Sequence, residues 1–175
     1  MLFLAGHGTV LEDGDYYFIP WDMVYENTAA LRTRGLSKKR LQELLAKIPA
    51  RKSLILLDTC YAGSTVTLLA GRSLAEKTAI DRLMKATTGR AVLAASSDTQ
   101  IAIEGHKGHG LFTYALLQGL KGQAPDYNRN STIEIDELAA FVVDEVPKIA
   151  LRRWHQEQFP MRDLQGMSFP IGVRP

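Results

Sequence analysis

A short apolar segment that ends at the only cysteine of the chain places the strongest constraint on the fold. The aliphatic run Leu54–Leu57 follows a basic turn and leads directly into Asp58-Thr59-Cys60. An uninterrupted run of this kind is typical of a strand buried on both faces of a parallel sheet. In open α/β sheets, chemistry gathers beyond the carboxyl ends of the strands. Cys60 is therefore either a reactive thiol at that edge or a small side chain that packs in the core.

A second apolar run ends at a histidine that can serve as a base for this thiol. Residues 1–5 lead into Gly6-His7-Gly8. Imidazole titrates near neutral pH, which suits it to activate a thiol. If the two strands are neighbours, His7 and Cys60 meet above one edge of the sheet. The flanking glycines let the backbone approach a substrate and present an N–H group to an oxyanion, so the pair predicts acyl transfer.

Composition restricts the class of protein. The 175 residues, 46% of them hydrophobic and 23% charged, predict one globular domain over residues 1–175. The net charge of +2 gives no reason to expect nucleic acid, and no apolar stretch is long enough for us to expect a membrane partner. A single cysteine excludes an internal disulfide and a cysteine-based zinc site. It suits a reducing compartment, so we expect a cytoplasmic protein.

Periodicity and turn residues predict the other elements, which alternate between strands and helices as in an α/β fold. Ser37 is expected to cap a helix that ends at Pro49, and Pro147 to kink or end the last helix. Residues 22–35 and 152–175 are predicted to be loops, apart from an edge strand over 168–173. Strands are predicted at 1–5, 16–19, 54–57, 91–95 and 132–135, and helices at 37–48, 73–87, 111–120 and from about 136.

Two motifs together resemble the paired signature of caspase-like cysteine peptidases. They are Phe3-Leu4-Ala5-Gly6-His7-Gly8 and Leu56-Leu57-Asp58-Thr59-Cys60-Tyr61-Ala62-Gly63. The stretches 16–22, 92–100 and 109–117 also resemble prokaryotic members related to metacaspases and paracaspases. The resemblance implies a three-layer α-β-α sandwich with a mainly parallel central sheet. Such domains carry one or two strands before the histidine strand. The resemblance therefore also implies an upstream segment or fused domain, so that this chain would be a fragment of a longer protein.

The resemblance further implies a cysteine endopeptidase that acts on polypeptides through a Cys60/His7 dyad. The backbone N–H groups of Gly8 and Cys60 are expected to hold the oxyanion. In metacaspases and paracaspases, the aspartate two residues before the cysteine lines a pocket for a basic P1 side chain, and here that residue is Asp58. Asp98 and Ser96, after the neighbouring strand, are expected to complete this S1 pocket. The expected cleavage is therefore after arginine and, secondarily, lysine.

Two alternatives from other classes stay open. A catalytically silent relative would act as an interaction or assembly module, against which the intact cysteine and histidine argue. A different clan of Cys/His acyltransferase or hydrolase on an α/β sheet is also compatible with the dyad. The segment Pro20-Trp21-Asp22 and the strand end at Ser96 argue against that clan.

No cofactor is expected, although two stretches carry side chains of the types that bind metals. His106 and His109 are three residues apart but lack an apparent third ligand. Residues 126–137 match the oxygen-ligand positions of a calcium-binding EF-hand loop, but Ser131 stands where the sharp turn needs glycine. A polar turn is the alternative to calcium there. The calcium candidates are Asp126, Asn128, Asn130 and Glu137.

Overall fold

The computed structural model describes residues 1–24, 26–62, 89–97 and 100–175, so the predicted helix over 73–87 lies outside the described residues. None of the helices in these ranges has the length and apolarity needed to cross a membrane. The strands are β1 (Leu2–Ala5), β2 (His7–Val10), β3 (Tyr16–Ile19), β4 (Leu36–Ser37), β5 (Lys52–Asp58), β6 (Gly89–Ala94), β7 (Thr132–Glu134), β8 (Met161–Gly166) and β9 (Pro170–Val173). The helices are α1 (Thr28–Arg34), α2 (Lys38–Ala46), α3 (Leu111–Gln118) and α4 (Ile135–Ile149).

The central sheet has the order β1-β5-β6-β8 in the described part of the chain. β1, β5 and β6 are parallel, and β8 runs antiparallel to β6. The aliphatic run of β5 lies in the middle, with each side chain at most 6% exposed. Because alternate side chains of a strand point to opposite faces, Leu54 and Leu56 enter one core while Ile55 and Leu57 enter another.

Helices cover both faces of this sheet. On one face, α3 and α4 bury side chains such as Phe112 and Val142 in the same core as Leu54. On the other face, α2 contributes Leu41 and Leu45. Each fully buried side chain of this size favours folding by about 1.5–3 kcal/mol. The predicted three-layer α-β-α sandwich with a mainly parallel central sheet is confirmed.

A smaller antiparallel sheet, β2-β3-β4, follows the first central strand and carries α1. The prediction of a loop over residues 22–35 is wrong, since α1 occupies Thr28–Arg34. The Asn27 side chain caps this helix by accepting a hydrogen bond from Ala30 N at 2.9 Å. Leu31 is the buried residue of the helix, so the sequence has no apolar period that would predict it.

The C-terminal residues also differ from the predicted loop. α4 continues past Pro147 to Ile149, and a π-helical turn follows over Ala150–Trp154. β8 then pairs with β6 along its whole length. Its sequence, Met-Arg-Asp-Leu-Gln-Gly, gave no strand pattern, because an edge strand with five of its six residues exposed needs no apolar alternation. The predicted last strand is confirmed as β9, which pairs with β7.

Candidate active site

The histidine and the cysteine follow neighbouring strand ends. β1 and β5 are parallel with Ala5 opposite Asp58, and Gly6 N donates a hydrogen bond to Asp58 O at 3.1 Å. Gly6 has a φ of +149°, a conformation that glycine adopts without strain, and the chain turns there from the central sheet into β2. His7 is exposed at the start of β2, and Cys60 is a half-buried free thiol two residues beyond β5.

Gly8 brings the histidine segment into direct contact with the cysteine turn. A Cβ atom at Gly8 would lie 2.8 Å from the Cys60 carbonyl oxygen and 2.6 Å from the Tyr16 hydroxyl oxygen. Neither distance leaves room for a side chain, and the carbonyl belongs to the backbone. The Gly8 backbone therefore lies directly against the Cys60 turn, and its approach to a substrate stays a prediction.

Contacts on both sides of Cys60 hold its turn. The hydroxyl oxygens of Thr59 and Tyr16 are 2.6 Å apart in a buried hydrogen bond. On the other side, Tyr61 N donates to Gln100 O at 3.2 Å, and Tyr61 has a left-handed φ of 57°. Sequence analysis missed the Tyr16–Thr59 pair, because the residues belong to different sheets and only the fold brings them together.

Asp58 caps a helix as well as lining the site. Gly110, the N-cap of α3, provides no side chain, and the Asp58 carboxylate accepts hydrogen bonds from Thr113 N at 3.3 Å and from the Thr113 hydroxyl. A Cβ at Gly110 would lie only 2.6 Å from Asp58 Oδ2. Burial raises the pKa of Asp58, the Thr113 hydrogen bonds oppose that rise, and the nearby Glu104 charge adds to it.

An open depression of about 330 Å³ lies beside these strand ends. Its two carboxylates come from Asp58 and Glu104, so it suits a cationic side chain. Sequence analysis did not identify Glu104. The available signal was its place before a glycine-rich loop that leads from the β6 edge to α3. The depression is lined by Ala5, Gly6, Asp58, Glu104, Gly105, Gly108, His109 and Gly110.

A buried glutamine fixes the segment that carries Glu104. Gln158 is fully buried, and its Nε2 donates to Ala95 O at 2.7 Å. Its Oε1 accepts a hydrogen bond from Ile103 N at 2.9 Å. The end of β6 and the residue before Glu104 are thus tied to one side chain, which keeps the wall of the depression in place.

A comparison with protein-family models agrees with this arrangement. The sequence model of the caspase domain, a peptidase family, matches residues 1–165. The chain belongs to the caspase-domain family. This membership supports a cysteine-type peptidase, a hydrolase that acts on polypeptides. No protein in the curated set that was searched matches the chain.

Of the other two residues expected in the S1 pocket of this caspase domain, the structure describes only Ser96. Ser96 is fully buried after β6, and its hydroxyl oxygen has no hydrogen-bond partner within the described part of the chain. Ser96 is not among the residues that line the depression. Asp98 lies outside the described residues. Glu104 is thus the second carboxylate that the described structure places beside Asp58.

The histidine pair of the caspase domain forms part of a loop. His106 and His109 form an isolated β-bridge, and the His106 ring meets Tyr114 edge-on at 4.6 Å. Burial lowers the pKa of His106, with the charges of Lys107 and Arg153 adding to the effect. Within the described residues, no group of three or more His, Cys, Asp and Glu side chains is arranged to hold a metal.

Two of the four calcium candidates pair with an arginine near the C-terminal end of the described chain. Arg174 follows β9, and its guanidinium pairs with Glu137 at 3.1 Å and with Asp126 at 3.4 Å. Within the turn, Asn128 Oδ1 accepts a hydrogen bond from Asn130 N, and Asn130 Oδ1 accepts one from Thr132 N. The carboxylates of Asp126 and Glu137 thus already pair with a cationic side chain, which a calcium ion would have to displace. Arg174 also donates to the carbonyl oxygens of Gly122, Ala124, Pro125 and Thr132.

Proposed function

We propose that this chain is a cysteine endopeptidase that cleaves polypeptides after arginine and, less efficiently, after lysine, through a Cys60/His7 dyad. The observation that carries the proposal is one edge of the sheet, where the His7–Gly8 segment contacts the Cys60 turn beside an acidic depression. Nucleophile, base and substrate pocket would then act on the same peptide bond.

Acyl transfer at this edge follows from the residues that meet there. Cys60 Sγ attacks the scissile carbonyl carbon as the thiolate, and the carbonyl oxygen takes up the negative charge. Backbone N–H groups of Gly8 and Cys60 stabilise this oxyanion. His7 passes the thiol proton to the leaving amine, and the C–N bond breaks. Water then hydrolyses the thioester and regenerates Cys60.

The specificity follows from the charge of the depression and from the number of donors on the substrate side chain. The negative charge of Glu104 raises the pKa of Asp58, so the two carboxylates repel each other. A cation between them would relieve this repulsion. The guanidinium of arginine has five N–H donors and can pair with both carboxylates, whereas an ammonium presents a point charge. An aspartate side chain would meet like charge and be excluded.

Turnover of matched peptides tests the proposal. Three fluorogenic peptides that differ only in arginine, lysine or aspartate at P1 are compared, and an arginyl acyloxymethyl ketone probe reports the nucleophile. We expect cleavage in the order arginine, lysine, then no detectable cleavage of the aspartate peptide. Since Cys60 is the only cysteine, one thioether adduct located by mass spectrometry identifies the attacking thiol.

Each other outcome contradicts a defined part of the proposal. Cleavage after aspartate but not arginine would overturn the acidic pocket while leaving the peptidase. An adduct away from Cys60 would overturn the nucleophile. If no peptide is cleaved and the probe labels no residue, the result would favour the catalytically silent interaction module.

Neutralising Glu104 is expected to weaken recognition of arginine. In Glu104→Gln, kcat/KM for the arginine peptide falls about tenfold, because one charge-assisted contact with the substrate is lost at an exposed position. Hydrolysis of the same peptide with norleucine at P1, which is uncharged, stays within about twofold. Glu12→Gln makes the same charge change on an exposed turn and is the matched control. Equal losses for both peptides would mean that Glu104 supports the fold rather than specificity.

The pH dependence of the same ratio checks the role of Asp58. Recognition of arginine needs the ionised carboxylate, and burial raises the pKa of Asp58. The arginine-to-norleucine ratio of kcat/KM therefore increases with pH, and its midpoint lies above that of an ordinary aspartate. Dyad ionisations cancel in the ratio. Glu104→Gln removes a charge that raises this pKa, so it moves the midpoint to lower pH; a move to higher pH would contradict the pairing.

A further inference from the structure

Two buried hydroxyl groups meet directly beside the nucleophile. Tyr16 is 2% exposed and Thr59 1% exposed, and their hydroxyl oxygens are 2.6 Å apart although 43 residues separate them in the chain. Phenylalanine and valine would fill the same space without polar atoms. A buried hydroxyl pair adds little net stability, and each member is unfavourable without its partner. Packing alone therefore gives no reason for these hydroxyls.

Their position links both halves of the dyad. Tyr16 begins β3 and lies opposite Val10 of the histidine strand β2. Its hydroxyl lies under Gly8, since a Cβ there would be 2.6 Å from the Tyr16 oxygen and 2.8 Å from the Cys60 carbonyl oxygen. The hydrogen bond to Thr59 then reaches the residue that precedes the nucleophile. One side chain thus contacts the histidine segment and the cysteine turn.

The Tyr16 hydroxyl is also chemically suited to remain in place during catalysis. Burial raises the pKa of Tyr16 to about 12, so the group stays protonated across the neutral range. The negative charge of a Cys60 thiolate acts in the same direction. The Tyr16 hydroxyl therefore keeps its proton, and can donate a hydrogen bond, in both ionisation states of the nucleophile.

We propose that the Tyr16–Thr59 hydrogen bond is a positioning contact that holds the Cys60 turn in register with Gly8. The inference rests on the proposed function, because it assigns the alignment of nucleophile and oxyanion N–H groups to this contact. Tyr16 acts through Thr59 and does not touch the substrate. Misplacement of a reacting group by about 1 Å can lower a rate about 100-fold, so loosening this turn should act on kcat.

Single and double substitutions separate positioning from stability. Tyr16→Phe and Thr59→Val each leave one buried hydroxyl unpaired, so both are expected to lower Tm by about 3–8 °C. Each lowers kcat on the arginine peptide about 10- to 100-fold, with KM within about twofold of wild type. In the double variant, both polar atoms are gone and most of the Tm returns. Its kcat stays low, because the contact is still absent.

Tyr17→Phe is the matched control. Tyr17 is the neighbouring residue of β3, is equally buried, and packs against Met23 and Leu31 instead of the cysteine turn. Its loss of one hydroxyl is expected to leave kcat unchanged. If the double variant regains both Tm and kcat, the pair is purely structural and the proposal is overturned. A kcat loss in Tyr17→Phe equal to that of Tyr16→Phe would overturn it as well.

Alkylation of Cys60 makes the test independent of turnover. Iodoacetamide reacts with the only thiol of the chain, and at a pH where that thiol is fully ionised the rate reports the accessibility of Cys60. In the double variant, whose Tm is expected to be close to that of wild type, we expect alkylation at least threefold faster than in wild type. An unchanged rate overturns the positioning role. If wild type cleaves no peptide, the proposed function fails, while the alkylation rates still decide whether this contact holds the turn.

Discussion

Replacing Cys60 by alanine is expected to lower kcat against the arginine peptide at least about a thousandfold. The thiol forms the covalent intermediate, and the methyl group of alanine has no nucleophilic atom to replace it. His7→Ala should cause a comparable loss, because the thiol then lacks its base and the leaving amine its acid. The double variant should be no slower than Cys60→Ala, since residues that act as one unit lose their effect together. Steady-state kinetics with active-site titration measures all three.

A histidine at the same sheet edge provides the control for this prediction. His109 lines the depression and is the other imidazole that could reach a substrate there. His109→Ala is expected to keep kcat within about threefold of wild type. Loss of activity in His109→Ala but not in His7→Ala would show that the base is misassigned. Cys60→Ala should unfold at nearly the wild-type temperature, because its side chain is only half-buried.

The sequence predicted that the candidate site lies at the carboxyl ends of the central strands, because apolar runs indicate which strands are buried. β5 and β6 were identified by their aliphatic residues, and both lie in the middle of the central sheet. The carboxyl ends of parallel strands meet at one edge, so His7 and Cys60 were placed together without knowledge of tertiary contacts. Ser37 was also predicted correctly, since its side chain accepts a hydrogen bond from Arg40 N and caps α2.

The elements that sequence analysis missed are those whose stability comes from tertiary pairing. β8 is mostly exposed, and its backbone hydrogen bonds to β6 hold it in place. α1 is a seven-residue helix, shorter than an isolated helix needs to be stable, so packing of Leu31 must support it. Neither source of stability leaves a periodic pattern in the sequence.

The same limit applies to side chains of the candidate site. Glu104 lies in a loop whose course is fixed by Gln158, more than fifty residues later, through hydrogen bonds that no local pattern encodes. Thr113 is a helical residue that becomes part of the site only because Asp58 caps its helix. Sequence analysis identified the residues at strand ends, whereas the residues that orient them depend on the packed fold.

Arg174→Met is expected to lower the free energy of unfolding by about 3–5 kcal/mol. The Arg174 side chain is 15% exposed and that of Glu137 is 3% exposed, so removal of the guanidinium leaves a buried carboxylate without its cation. Four backbone carbonyl oxygens lose a donor in the same step. β9 and the N-terminal end of α4 should loosen together. Urea unfolding followed by circular dichroism measures the change.

Two further variants define which part of the effect is electrostatic. Arg174→Lys keeps the positive charge but has three donors on one atom, so it should recover only part of the lost stability. Arg174→Met combined with Glu137→Gln removes the unpaired charge and should be more stable than Arg174→Met alone. If the double variant and Arg174→Met are equally stable, Arg174 does not stabilise the fold by neutralising the Glu137 carboxylate. Arg162→Met, on the exposed strand β8, is a surface control expected to change stability by less than about 0.5 kcal/mol.

Calcium distinguishes this arrangement from a metal-binding loop. Because Arg174 takes the oxygens of Asp126 and Glu137, millimolar calcium should leave the Tm of the wild-type chain unchanged. A ligand that binds only the folded state stabilises it by RT ln(1 + c/Kd) at a free concentration c, so calcium binding with a Kd at or below the calcium concentration would raise Tm. A calcium-dependent rise in wild type that disappears in Asp126→Asn would show that the ion displaces Arg174 and would overturn this assignment. Unchanged Tm in wild type, with a calcium-dependent rise only in Arg174→Met, would show that the arginine stands where the ion would otherwise bind.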